Sequence, residues 1–156
     1  MAATNLINQT LLTILDNQAA RCACAFEDLT SEVFEAAPGG DCHSIREIGK
    51  HLLHLRRFGL TLLESSLAAQ VADPASLNAS AELLKKLDQA TELLRRGITD
   101  HDPDDWYRVP TTPREGPWGD EPTIQRFVRP LNDFANHLGS IRALRRIMGN
   151  PAKQTQ

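Results

Sequence analysis

SIREIGKHLLHLRRFGLTLL, residues 44–63, decides the fold class. Ile48, His51, Leu55, Phe58 and Leu62 recur at three- and four-residue intervals, the spacing that lines side chains along one face of a helix. Ser44 followed three residues later by Glu47 is a capping-box pattern, which sets the start of the helix at about Ser44. The helix is expected to run to about Gln70, a length of roughly 40 Å at a rise of about 1.5 Å per residue. His51 falls on the apolar stripe and is expected to point inward.

A second stretch answers it near the C-terminus: LNDFANHLGSIRALRRIMG, residues 131–149. Leu131, Phe134, Leu138, Ile141, Leu144 and Met148 form its stripe, and Asp133 and His137 lie one turn apart on the flank. This fourth helix is expected from Thr123 to Gly149, with Pro130 inside it as a kink and Gly149 as its C-terminal stop. Between the two stretches, Leu83, Leu87, Ala90, Leu94 and Ile98 predict a helix over about 79–100, whose stripe His101 continues by one turn. Ahead of them, Leu11, Leu15, Ala19, Cys22, Phe26 and Leu29 predict a first helix over about 5–29. Its connection, residues 30–43, contains Pro38, Gly39 and Gly40, with room for one short turn around Glu32 to Glu35.

Four amphipathic segments with no strand pattern specify an all-α chain, expected as an antiparallel up-and-down four-helix bundle over residues 1–149, followed by a polar tail over 150–156. In that order the Pro-Gly connection, His101, the N-terminal part of the second helix and the long loop over 102–122 would share one end. That loop holds both tryptophans and the only tyrosine. Structureless loops of this length are usually functional or disordered, and the aromatics argue for an ordered one. His101, Trp106, Tyr107 and Trp118 are therefore the candidates for the wall of a small-molecule pocket.

With 41% hydrophobic residues among 156, the chain is long enough for one sizeable core. Its 17 basic and 20 acidic residues are intermixed for a net charge of −3, which provides no basic field for nucleic acid. No apolar run reaches the roughly 20 residues that cross a bilayer, and the first ten residues lack a signal-peptide pattern, so no membrane partner and a cytoplasmic location are expected. Cys22, Cys24 and Cys42 are odd in number and badly spaced for one another, so reduced thiols are expected.

An imidazole and a carboxylate one turn apart can grip one ion, and a histidine from a neighbouring helix would supply a third ligand. His51, Asp133 and His137 are thus a candidate divalent-metal set with open positions, suited on ligand type to Zn, Ni, Mn or Fe. The same spacing also fits an ordinary Asp133–His137 helical pair beside a core histidine. His54, Arg56 and Arg57 read as a solvated helix face, although the arginines could meet an anionic substrate.

SIREIGKHL resembles the segment of DinB-like proteins in which a histidine followed by leucine opens the second helix, and HLGSIRALRRIMG resembles their fourth-helix H-x-G-Q-I segment. The resemblance implies a DinB/YfiT-like bundle with a triad of three histidines, one on helix two and two from an H-x-x-x-H in helix four. His51 and His137 match the first and third, while Asp133 stands where the family has histidine and Ser140 where it often has glutamine. A carboxylate at that position favours harder ions than an all-imidazole set. The resemblance further implies a metal-dependent enzyme acting on a small molecule by thiol-dependent transferase or hydrolase-like chemistry, a low-molecular-weight thiol as possible cofactor, and a homodimer. The competing expectation is a metal-free helical module that binds a small molecule or a protein after loss of the family's site.

Overall fold

The capping box forms as the sequence requires. Glu47 N donates to Ser44 Oγ at 3.2 Å, and Ser44 N donates to Glu47 Oε2 at 2.8 Å. The computed structural model describes residues 4–110 and 119–152, which are all-helical, with no strand among them. The α-helices are α1 (Thr4–Phe26), α2 (Ser31–Glu35), α3 (Ile45–Leu62), α4 (Ser80–Asp100) and α5 (Thr123–Ile147). Short 3₁₀ turns occupy Ser66–Gln70, Pro74–Ser76 and Pro103–Tyr107. Among the described residues no helix is long and apolar enough to cross a membrane.

The second long helix ends at Leu62, well short of the expected Gln70, so its length is roughly 27 Å rather than 40 Å. Backbone geometry stops it. Glu64 adopts φ 52°, and Ser65 N reaches back to Leu60 O at 3.1 Å, a Schellman closure with glutamate in the left-handed position usually held by glycine. Ser65 then caps the first 3₁₀ turn through Leu67 N, and Asp73 caps the second through Ala75 N. In the Pro-Gly connection, Gly39 and Gly40 take φ 110° and 62°, values that side chains resist.

The expected up-and-down order is corrected by the directions of the helices. A β-carbon at Gly49, early in α3, would meet Leu83, early in α4, while one at Gly97, late in α4, would meet Leu60 and Leu63, late in α3. α3 and α4 are therefore parallel. Residues 63–79 carry the chain back to the end where α3 began, and Lys50 Nζ donates to Ala75 O at 3.5 Å along the way. α1 and α5 run the opposite way. Asn8, early in α1, donates to Ile98 O near the end of α4, and Arg145, late in α5, donates to Ala25 O near the end of α1.

Two ends follow from these directions. One gathers the C-terminus of α1, α2, the Pro-Gly connection, the N-termini of α3 and α4 and the C-terminus of α5. The other gathers the start of α1, the C-termini of α3 and α4, the turn Pro103–Tyr107 and the start of α5. His101 thus lies at the opposite end from the Pro-Gly connection and the N-terminus of α3, contrary to the expectation that they share a rim. Between the ends, Leu15, Leu52, Leu53, Leu83, Phe127 and Leu138 belong to one continuous core.

Candidate functional site

α3 and α5 cross antiparallel, and their contacts follow in sequence. Gly59 stands against Phe127, Arg56 against Phe134 and His51 against His137. The rings of His51 and His137 meet edge to face with centroids 4.6 Å apart. His54, one turn along α3, stacks on His51 at 6.2 Å.

His51 does not point inward. The buried face of α3 runs through Ile48, Leu52, Leu55, Gly59 and Leu62, while His51 is exposed and His137 is half-buried. The apolar stripe is wide enough that a residue at its margin reads as core although its ring looks along the surface seam between two helices. Partial shielding lowers the pKa of His51 below its ordinary value, and the neighbouring His137 and His54 lower it further. Asp133 is exposed on α5, one turn before His137, and its charge opposes that lowering. Two imidazoles and a carboxylate thus converge on one seam, a donor set that suits a divalent ion. Among the described residues no three such side chains are drawn together closely enough to hold an ion as they stand.

Arg56, expected on a solvated helix face, lies buried along this seam instead. Arg56 is 1% exposed, its guanidinium carbon 3.7 Å above the Phe134 ring. It donates from Nη1 to Gln18 Oε1 at 2.8 Å, and Gln18 in turn donates from Nε2 to Leu131 O at 2.8 Å. Nε and Nη2 have no hydrogen-bond partner. Burial pushes its pKa down to about 9, which still leaves it charged at neutral pH. Cys22, 3% exposed, is pushed up to about 12, first by burial, so its thiol stays protonated and is plain core, as expected. Phe134 on the α5 stripe was the available signal, because an arginine that faces an aromatic stripe can stack instead of reaching water.

The four aromatic and histidine candidates separate. Trp106 is fully buried, its Nε1 donating to Asn8 Oδ1 at 2.6 Å and its ring 5.2 Å from Phe127, so it plugs the core instead of lining a mouth. Tyr107 is 68% exposed. His101 does line a cavity, but one at the C-terminal end of α3, eleven residues or roughly 16 Å along the axis from His51. Trp118 lies outside the described residues.

No protein-family model matches the chain, and no curated protein matches it.

Proposed function

We propose that the chain is a divalent-metal-dependent enzyme of the DinB-like type, built on a four-helix bundle, with His51, His137 and Asp133 as the ligands. The observation that carries this reading is the meeting of His51 and His137 at 4.6 Å across the α3–α5 seam, with Asp133 one turn from His137. These residues stand 86 positions apart at most in sequence (137 − 51), and an edge-to-face imidazole pair with a carboxylate at its margin is a donor set in search of an ion. A bound divalent ion would supply Lewis acidity and would lower the pKa of a bound water or thiol.

The chain's own residues do the remainder. Partial burial and its histidine neighbours favour the neutral, lone-pair-bearing form of His51, and Asp133 offsets positive charge. Arg56, buried beneath Phe134, places a fixed cation under the seam, which favours an anionic small-molecule substrate. Thiol-dependent transfer and hydrolysis both fit this arrangement, with a low-molecular-weight thiol as the cofactor in the first case; a homodimer remains part of the proposal.

The second reading, a metal-free binding module, is favoured by one observation, the aspartate at the position where the resembled family has histidine. Thermal shift separates them. In the metal-dependent reading, Zn²⁺, Ni²⁺, Mn²⁺ or Fe²⁺ raises Tm in proportion to RT ln(1 + [L]/Kd), and Asp133→Ala loses most of the shift while Asp133→His keeps or enlarges it. Equal shifts in wild type and Asp133→Ala would remove Asp133 from the ligand set.

A further inference from the structure

His51 and His54 are three residues apart on α3, an interval that makes side chains neighbours on one helix face. Their ring centroids lie 6.2 Å apart with the planes 23° from parallel, and His137 of α5 meets His51 across the seam at 4.6 Å. Three of the chain's five histidines therefore form one continuous cluster. His54 is exposed and adds nothing to the core; the ring it touches is that of His51.

The spacing of the rings is close to what a shared ion requires. Two imidazoles bound through nitrogen at about 2.1 Å, with about 90–110° between the bonds, have centroids about 4.5–5 Å apart. His51 and His137 already stand at that separation, and His54 exceeds it by about 1 Å. Rotation of exposed side chains closes such a gap, since leaving a rotamer well costs roughly a tenth of what a tightly held divalent ion contributes.

The added nitrogen changes what the seam selects. Imidazole suits zinc and nickel, whereas carboxylate and water suit manganese. With His51, His137 and Asp133 the donors are two nitrogens and one oxygen; His54 makes the nitrogens three, and an ion that expands beyond four positions still keeps room for water.

We propose that His54 is a further ligand of this seam, so that α3 supplies two imidazoles and α5 the third, and that the ion held is zinc or nickel and not manganese. The proposal rests on the metal-dependent reading of the same seam. Ni²⁺ and Mn²⁺ are titrated by calorimetry into the full chain stripped of metal and into His54→Ala, His54→Phe and His51→Ala. The wild type binds one Ni²⁺, at least about a hundredfold more tightly than Mn²⁺. His54→Ala and His54→Phe each weaken Ni²⁺ at least about tenfold. His54→Phe keeps a ring against His51 but has no lone pair, so it separates ligation from stacking, and the exposure of His54 spares the core in both variants. Wild-type Ni²⁺ affinity in His54→Ala, affinity lost in His54→Ala but kept in His54→Phe, or Mn²⁺ bound as tightly as Ni²⁺ by the wild type overturns the proposal. In those cases the metal-dependent reading still stands if His51→Ala abolishes Ni²⁺ binding. A wild type that takes up neither ion overturns the proposal and removes its foundation together.

Discussion

Replacing Gly49 by alanine tests the parallel packing of α3 on α4. A β-carbon there would stand 2.4 Å from Leu83 Cδ2 and 3.1 Å from Phe26 Cζ. The Leu83 methyl is the end of a flexible side chain and can turn away, but Leu83 is itself fully buried and Phe26 is 5% exposed, so both must move within a filled core. Overpacking of this kind costs about 1–3 kcal/mol, and alanine returns up to about 1 kcal/mol of helix propensity. The net loss is about 1–2 kcal/mol, equivalent to a fall in Tm of about 2–8 °C for a chain of this size. Gly139 on α5 is the control, because it is exposed and a β-carbon there meets nothing within 4 Å. Gly139→Ala gains up to about 1 kcal/mol from propensity alone. Thermal and urea unfolding followed by circular dichroism read both. The reasoning fails if Gly49→Ala matches or exceeds wild-type stability, since α3 would then not lie against Leu83 and Phe26.

Arg56→Met removes a buried cation that has one hydrogen bond and, among the described residues, no ion-pair partner, so it should leave stability within about 1 kcal/mol of wild type or raise it; a loss above about 3 kcal/mol in urea would show that the stacked guanidinium is net stabilising. Trp106→Phe leaves Asn8 Oδ1 without its indole donor in a buried setting and should cost about 1–3 kcal/mol, a loss that Asn8→Leu in the same background fails to deepen by the same amount if the pair acts as a unit. The pKa of His101 is lowered by burial, so the unfolded chain takes up a proton more readily than the folded one. Its contribution to stability is complete above the ordinary histidine pKa and is lost as pH falls from about 6.5 through the lowered value. His101→Asn should therefore flatten the decline in Tm between about pH 7 and pH 5, and an unchanged slope contradicts that role.

Local signals in the sequence were legible because local physics settles them. Ser44 and Glu47 cap α3 as their spacing requires, and the α4 stripe is buried where its period places it, whereas Ala19 and Leu29 of the first stripe and Leu144 and Met148 of the last are only partly buried. Direction was not legible. A hydrophobic stripe records which face is covered, and it reads the same whether the neighbour runs up or down. The turn that decides direction rests on Glu64 in a left-handed conformation, a position that composition gives no reason to suspect. Trp106 looked like a pocket aromatic because its partner, Asn8, is 98 residues away. Arg56 looked solvated because only the antiparallel crossing of α5 brings Phe134 over it. Of the candidate metal set, spacing gave only the Asp133–His137 pair on one helix; the contact of His51 with His137 depends on how α3 and α5 cross, and the outward position of His51 was not legible.

The most direct measurement is elemental analysis of the chain purified without chelators, beside His51→Ala and His137→Ala prepared in the same way. The metal-dependent account predicts near-stoichiometric divalent metal in the wild type and its loss in both variants, each variant remaining folded by circular dichroism. A wild-type protein that is empty, and that gains no thermal stability from added Zn²⁺, Ni²⁺, Mn²⁺ or Fe²⁺, would contradict it.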